Sequence, residues 1–546
     1  MSKRPREWAD AVVPAAVAVF TALAVWTHLQ YAASTNFIAG KDWILHVIGY
    51  HAIGRVEPNP ARILAWYLGN PLPMVHYPPL GYLGTSVWRR LGMEAPGCDY
   101  AVKAWWIVVL VGSLYGAGRR LAGSTWGGLA AAVIAGLSGS ALGQARRLDL
   151  EFQQVSAVAA TLYFYLRTDR LSRGAASALF GLVAGLAVLV KPHAAFYFAP
   201  FVAIDLLLDR PPGIPWTRRA ARLVLAAGIA AAIAAPYYVP LLPRVLYHGV
   251  HDLSGPAVDP GNSAVAYLTI LRRGGVVAPL VAALGLGLSA VGLARGDRFP
   301  IAVLGASFAV LGVFSFRDVQ PEYIGSLSVF GALLCARGLR HVGKRAGALV
   351  AFLLAACYAA PLLAPAPADA FQVRHTDNPV VRFLYPGPVN GLREIAPHES
   401  DQDDWSTIAV LAKLFSTRYA DVPGSRMAAV NAEKIELMTD YGLANLLNTP
   451  LGLSWDGAGE FGSFFHAAVI SSVSTTEPLS ARLQFNPLVV VALPARSAPD
   501  PGAAFADLNR THRLDLRLDL ERSPFCAGAP LRLLFLRRLR PSPDPA

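Results

Sequence analysis

Long apolar runs, separated by short polar segments rich in arginine, fill the first two thirds of the chain. Eleven such runs lie at 11–29, 101–118, 126–142, 152–166, 175–190, 194–208, 221–242, 276–294, 300–316, 323–336 and 348–363. Each run approaches the roughly 20 residues that an α-helix needs to cross a hydrocarbon core of about 30 Å. The pattern predicts an all-α polytopic membrane protein with about 11 transmembrane helices.

After residue 363 the pattern changes to short mixed elements. An amphipathic run, DDWSTIAVLAKLF, is followed by the β-like stretches HAAVISSV and PLVVVAL, and then by the alternating HRLDLRLDL and PLRLLFLRRL. Alternation with period two is typical of strands, so this part of the chain predicts a small α/β domain. We therefore expect a transmembrane core over 1–364 and an α/β domain over 365–546.

The distribution of basic residues predicts the orientation. Eighteen Lys and Arg side chains lie in segments that an N-inside arrangement places in the cytoplasm, whereas the short opposite loops carry only Arg146, Arg147, Lys191 and Arg317. This asymmetry follows the positive-inside rule. The start MSKRPREW leads into an apolar run with no small-residue cleavage site after it, which indicates a first transmembrane helix. An odd span count then places the first loop, 30–100, and the C-terminal domain outside.

Composition agrees with a membrane protein and argues against nucleic-acid binding. The hydrophobic fraction is 54% and the mean hydropathy is +0.41, both too high for one soluble core. The net charge of +12 comes without an RNP-like, zinc or helix-turn-helix pattern, so the basic residues indicate membrane flanks. The four cysteines lack metal-ligand spacing, and a disulfide between Cys98 and Cys526 is left open.

The first external loop holds the first candidate site. It reads FIAGKDWILHVIGYHAIG and then WYLGNPLPMVHYPPLGYLG, which is too apolar for a loop in water and predicts interfacial helices. If a helix begins at Asp42, then Asp42 and His46 share a face at i, i+4 spacing. The alternative is that Asp42 caps the helix and His46 packs at the interface. His76 and Tyr77, beside the YPPL motif, are further candidates.

Charged groups at the outer border of later spans form the second candidate site. The segment QARRLDLEFQQ places Arg146, Arg147, Asp149 and Glu151 beside the membrane. Charges at this depth are costly unless they pair or serve a site. The alternative is a local pair between Arg147 and Glu151 at i, i+4 spacing. Other ionisable groups on the same side by this topology are Lys191, His193, Arg317 and Glu322.

These features together resemble the GT-C class of membrane glycosyltransferases. The pattern DWILH followed by WYLGNPLPMVHYPPL most resembles bacterial membrane proteins with the so-called 6-pyruvoyl-tetrahydropterin synthase-related domain. That name implies no pterin chemistry, because the chain shows no zinc-histidine constellation. Many relatives of the protein mannosyltransferase and aminoarabinose transferase type carry a paired acid in the first loop, whereas Asp42 stands between Lys41 and Trp43.

The resemblance implies a chemistry and a role for each candidate. It implies transfer of a sugar, with inversion, from a polyprenyl-phosphate donor to an envelope glycan, lipid or protein on the external leaflet. Asp42 would be the base, and His46 would orient Asp42 or touch the donor. Arg146, Arg147, Lys191 or Arg317 would hold phosphate, which suits a guanidinium fork. Asp149 or Glu151 would orient the acceptor or a divalent ion, with no cofactor certain.

Two other functions compete with this interpretation. A transporter or lipid flippase would favour paired repeats and helices broken near their midpoints, which the sequence does not show. A non-catalytic envelope protein with the same fold is left open by the single acid at Asp42. The sequence alone leaves the donor sugar, the acceptor and any metal undefined.

Overall fold

The computed structural model describes the protein in two units. The described residues are 4–34, 46, 50, 78–94, 97–208, 214–253, 277–315, 321–363, 404–419, 421, 427–431, 468–471, 488–494, 510, 515–522, 525–526 and 529–538. A helical unit holds the described residues of Met1–Ala33 and His76–Ala396, and an α/β unit holds those of Ser34–Arg55 and Pro397–Ala546. The predicted boundary at 364/365 lies outside the described residues and stays a prediction.

The helical unit consists of helices that coincide with the apolar runs. They are α1 (Arg4–Ser34), α2 (Thr85–Arg90), α3 (Gly97–Ala101), α4 (Lys103–Ala122), α5 (Thr125–Ala131), α6 (Gly139–Ala145), α7 (Glu151–Arg167), α8 (Gly174–Val190), α9 (Ala194–Leu208), α10 (Trp216–Leu253), α11 (Val277–Ala294), α12 (Phe299–Ser315), α13 (Pro321–Leu339) and α14 (Lys344–Leu363). Three stretches of described residues are, by length and composition, long and apolar enough to cross a membrane: Ala11–Ala33, Gly97–Ala122 and Trp216–Pro240. Shorter apolar helices accompany them. The mostly helical class is confirmed, while the number of spans and their orientation stay predictions.

The run at 126–142 is interrupted, unlike the single helix that its hydropathy predicts. Helix α5 passes into a π-helical stretch, Ala132–Gly136, and α6 restarts after Ser138, whose hydroxyl accepts from the Ala141 amide at 3.2 Å. A serine cap stabilises a new helix start, because it satisfies an amide that has no partner within the helix. The break sets the direction of the polar segment that follows α6.

Helices α4, α7 and α13 pack together at the centre of the helical unit. Buried apolar side chains join them, among them Leu110, Phe152, Val158 and Phe330. Helix α4 also lies close to α5, because a side chain at Gly118 would meet the Gly127 carbonyl oxygen at 2.4 Å. Small residues allow such backbone contact between membrane helices.

The turn between α7 and α8 is left-handed at three consecutive residues. Asp169, Arg170 and Leu171 have φ values of 49°, 56° and 63°. Non-glycine residues rarely adopt this conformation, which costs roughly 1–2 kcal/mol per residue. Arg219 and Arg222 of α10 donate to the carbonyls of Arg170 and Leu171 at 3.1 and 2.9 Å, so tertiary contacts hold the turn.

The α/β unit is built on a mixed sheet, which confirms a small C-terminal sheet. Its described elements are α15 (Asp404–Thr417), β1 (Met427–Asn431), β2 (Ala468–Ser471), β3 (Leu488–Pro494), β4 (Leu516–Arg522), β5 (Phe525–Cys526) and β6 (Ala529–Arg538). The strand order is β2-β1-β3-β6-β4, with β5 paired to β6. Strand β1 runs parallel to β2 and β3, and β6 runs antiparallel to β3 and β4.

The helix of the α/β unit packs on the sheet through aromatic rings. The Tyr419 ring, just after α15, stacks on Phe535 of β6 with centroids 5.5 Å apart. Arg418 and Tyr419 both bond to Asp519 of β4, at 2.9 and 2.7 Å. The buried stretch 488–491 and residues 533–536 supply the apolar core. Because successive strand residues point to opposite faces, this continuous burial shows that both faces of β3 and β6 are covered there.

Candidate functional site

A polar segment links α6 to α7 at the end of the bundle where α7 begins. Arg146, Asp149 and Glu151 within it are 5%, 4% and 7% exposed. Buried charge in a membrane helix bundle is expensive unless it is paired, so the partners of these groups define the site. They come from three other helices, and the residues involved are far apart in the sequence.

Glu151 opens α7 and pairs with Lys191. The Lys191 ammonium donates to Glu151 Oε1, and the two side chains are 2% and 9% exposed. Lys191 ends α8 in an extended conformation just before Pro192, which turns its side chain back towards the bundle. The predicted pair between Arg147 and Glu151 stays a prediction. Helix α7 starts at Glu151, so Arg147 lies before the helix and not within it.

Asp149 lies between two cations. Arg147 Nε is 2.7 Å from Asp149 Oδ2, and Lys103 Nζ is 4.0 Å from Oδ1. Lys103, in the first turn of α4, is completely buried and donates to the Asp149 backbone carbonyl. Burial raises the pKa of the Asp149 carboxyl above its ordinary value, and the nearby Glu151 adds to the rise.

Aromatic residues from the last turns of α1 complete this cluster. The Arg146 guanidinium lies over the Tyr31 ring, 4.7 Å from its centroid, and Tyr31 packs edge-on against Tyr100 at 5.4 Å. His28, one turn before Tyr31, bonds through Nε2 to the Tyr100 carbonyl at 2.8 Å. Helix α1 therefore contributes a histidine and a tyrosine to the same end of the bundle.

Sequence reasoning missed Lys103, His28 and Tyr31. Each lies in or beside an apolar run, where it reads as part of a spanning helix. A signal was present, because an ionisable residue inside an apolar run is rare and marks a functional position by default. His28 and Tyr31 are also three residues apart, which places them on one helix face.

The structure brings together five of the predicted residues and leaves others undetermined. Arg146, Arg147, Asp149, Glu151 and Lys191 form one site, which we call the polar cluster together with Lys103. His193 follows Lys191 by two residues, and the centroid of its ring lies 5.9 Å from that of Phe196. His46 is buried. Asp42, His76, Tyr77 and Arg317 lie outside the described residues, as does the side chain of Glu322 within α13.

Two further questions concern metal and disulfide bonding. Within the described part of the chain, no group of three or more His, Cys, Asp or Glu side chains could hold a metal ion. Cys98 is a buried free thiol that donates to Asp99 Oδ1 at 3.3 Å. The disulfide with Cys526 is therefore not formed in this structure.

The polar cluster combines four cations with two carboxylates. Lysine and arginine side chains in a dry site stabilise negative charge on a phosphate, because little water screens them. Carboxylates beside them can orient a hydroxyl or accept its proton. The arrangement suits a reaction in which a phosphate leaves and a hydroxyl attacks.

Comparison with known proteins supports the fold class. No protein-family model matches the chain, and no curated protein matches it. The chain has a fold similar to that of two solved membrane-protein structures. Crystal structures of ArnT from Cupriavidus metallidurans share it. The form bound to undecaprenyl phosphate is 17% identical with a TM-score of 0.56, covering 95% of this chain and 97% of ArnT. The apo form is 18% identical with a TM-score of 0.56, covering 96% and 98%. The finer resemblance to the 6-pyruvoyl-tetrahydropterin synthase-related group stays a prediction.

Proposed function

We propose that this protein is a membrane glycosyltransferase that moves a sugar from a polyprenyl-phosphate donor to a cell-envelope acceptor. Its supporting observation is the polar cluster, in which buried lysines and arginines surround two carboxylates within an ArnT-like fold. The neighbouring ArnT structure is bound to undecaprenyl phosphate, which has the same chemical class as the proposed donor. By the positive-inside rule, the polar cluster faces the external leaflet of a bacterial inner membrane.

The reaction is a single displacement with inversion. The acceptor hydroxyl oxygen attacks the anomeric carbon, and the bond from that carbon to the phosphate oxygen breaks. Arg146, Arg147 and Lys191 stabilise the charge that develops on the leaving phosphate. Asp42 takes the hydroxyl proton as general base, while Asp149 or Glu151 orients the acceptor. The product is a glycosylated acceptor and a polyprenyl phosphate.

The remaining candidates take supporting roles in this proposal. His46 orients Asp42 or contacts the donor, and the His76, Tyr77, His193, Arg317 and Glu322 side chains line the route of the substrates. The domain after residue 364 lies outside the cell and shapes the entrance for the acceptor. The alternative role of Asp149 or Glu151 is to hold a divalent ion beside the phosphate, where it would add to the charge of the cations in the polar cluster.

Transfer activity tests the proposal. The purified full chain is placed in liposomes with radiolabelled undecaprenyl-phosphate hexose and an envelope extract as acceptor. Asp42→Asn keeps the shape and removes the base, so we expect unchanged abundance and a rate lower by about a hundredfold to ten-thousandfold. Asp169→Asn, in the exposed ion pair at the opposite end of α7, is the matched control and should retain the wild-type rate.

Two results would contradict the proposal. Full activity of Asp42→Asn would show that Asp42 is not the general base, although the protein would still be a glycosyltransferase. No transfer by the wild-type chain from any polyprenyl-phosphate sugar would favour a transporter or a non-catalytic protein, and flux of the labelled lipid between leaflets would separate those two.

A further inference from the structure

The His28 ring is held in one tautomer. Its Nε2 lies 2.8 Å from the Tyr100 carbonyl oxygen, which can only accept a hydrogen bond. Nε2 must therefore carry the proton, and in the neutral ring Nδ1 is left with a lone pair that accepts. The ring is 3% exposed, so this arrangement is shielded from bulk water.

No described residue gives Nδ1 a hydrogen bond. A buried acceptor that has lost its water and found no partner is destabilising, and native proteins contain few such atoms. Glutamine at this position would keep the bond to the Tyr100 carbonyl without the second nitrogen. The unused acceptor therefore calls for an explanation other than helix packing.

The surroundings of His28 connect this acceptor to the polar cluster. Tyr31, which follows His28 one turn later on α1, lies under the Arg146 guanidinium of the polar cluster, and its ring packs against the Tyr100 ring. A group bound to the polar cluster by its phosphate would place its polar substituents close to this helix end.

We propose that His28 is a specificity-determining contact, whose Nδ1 accepts a hydrogen bond from a carbohydrate hydroxyl held at the polar cluster. The inference rests on the proposed function and adds a recognition element for the sugar itself, separate from the groups that hold phosphate. The hydroxyl belongs to the donor sugar or to the acceptor. Nδ1 is enclosed in this structure, so the contact requires a neighbouring side chain to move.

Two substitutions separate this contact from a structural role. The amide nitrogen of glutamine in His28→Gln reaches the position of Nε2, so it keeps the bond to the Tyr100 carbonyl and removes the acceptor at Nδ1. The shorter asparagine in His28→Asn places an acceptor near Nδ1 and loses the reach to that carbonyl. A purely structural histidine would tolerate the glutamine and not the asparagine.

The experiment compares undecaprenyl-phosphate hexose with undecaprenyl phosphate that carries no sugar. Wild-type and variant full chains in liposomes are assayed for equilibrium binding of each lipid, for thermal unfolding, and for KM towards donor and acceptor. We expect His28→Gln to unfold like the wild type and to bind the sugar-free lipid normally. Loss of one hydrogen bond should weaken the contact by about threefold to tenfold. That loss in donor binding places the hydroxyl on the donor sugar, and a rise confined to the acceptor KM places it on the acceptor.

Four outcomes would overturn the inference. In the first, His28→Gln matches an active wild type in every binding and kinetic measurement. In the second, His28→Gln weakens the binding of both lipids equally, which would mean that His28 contacts the phosphate and not the sugar. If His28→Gln lowers the unfolding temperature, the test moves to His28→Asn, and loss of sugar discrimination there counts against the contact. A wild-type chain that binds neither lipid overturns the proposed function and the inference with it.

Discussion

The two ends of the helical unit neutralise buried charge in different ways. Where α7 begins, neither carboxylate oxygen of Asp149 receives a well-directed hydrogen bond from a described residue, although Arg147 is 2.7 Å away. Where α7 ends, Asp205 accepts bonds from Tyr165 and Arg170 at 2.9 and 3.0 Å. Where α7 begins, the Asp149 oxygens can still accept hydrogen bonds. Where α7 ends, the Asp205 carboxylate already accepts two.

A second acid at the end where α7 terminates follows the same rule. Asp297 accepts from Arg337 at 2.6 Å and from His341 at 2.8 Å. Although burial opposes it, these bonds hold the pKa of Asp297 at about 2. Fully bonded polar networks stabilise a fold, whereas buried polar groups left without bonds are typical of sites that wait for a ligand. The comparison assigns a fully bonded structural network to the end where α7 terminates, and a binding role to the unbonded Asp149 oxygens where α7 begins.

The largest expected effect comes from breaking the pair between Lys191 and Glu151. Lys191→Met removes the cation and leaves a buried carboxylate, which typically costs about 3–5 kcal/mol. Thermal and denaturant unfolding of the purified full chain measure the loss. Arg120→Ala is the control, because its pair with Asp169 is about one-third exposed and should be worth about 1 kcal/mol or less. Equal losses in the two variants would contradict the greater cost expected for breaking a buried ion pair than an exposed one.

The next effect concerns Asp205 in the bonded network. Asp205→Asn keeps the shape and removes the charge that Arg170 and Tyr165 address, so we expect a loss of about 1.5–3 kcal/mol in the free energy of unfolding. Binding of undecaprenyl phosphate should not change, because Asp205 lies at the far end of α7 from the polar cluster. A variant that unfolds normally but loses lipid binding would reverse the assignment of the two ends.

The smallest expected effect is a pH dependence from Asp297. Its pKa of about 2 in the folded chain is below the ordinary aspartate value of 3.8, so ionised Asp297 stabilises the fold above about pH 4. That contribution is lost as pH falls from about 4 to 2, and screening of this half-buried group limits it to about 1–2 kcal/mol. Unfolding of the wild type and of Asp297→Asn is measured across this range. At pH 4 the free energy of unfolding of the variant should be lower than that of the wild type, and it should fall less steeply as the pH is lowered. Parallel curves of this free energy against pH would rule out the contribution of Asp297.

The sequence predicted the helices and strands well where one physical rule dominates. Apolar runs near 101–118, 152–166 and 175–190 became α4, α7 and α8, because a backbone in an apolar medium must satisfy its own hydrogen bonds. Alternating residues in the last part of the chain became β4 and β6. The interruption after α5 was not predicted, because hydropathy does not record where a serine caps a new helix.

The site was predicted in part, and the reason lies in the chain distance between partners. The segment 146–151 stood out because four of its six residues are charged. Lys103 and Asp149 are 46 residues apart, and Lys191 and Glu151 are 40 apart. Pairs at such separations leave no periodic trace in one sequence, so local spacing suggested Arg147 with Glu151.

The sequence by itself determined which segments leave water and which charges lie at their borders, since both depend on the residue types alone. Only the tertiary structure decided which cation meets which carboxylate, and that His28 of α1 bonds to the Tyr100 carbonyl with its second nitrogen unused. The physical reason is that burial and hydrogen bonding are properties of a position in space. A histidine in an apolar run has the same hydropathy whether its second nitrogen meets a carbonyl, a ligand or nothing.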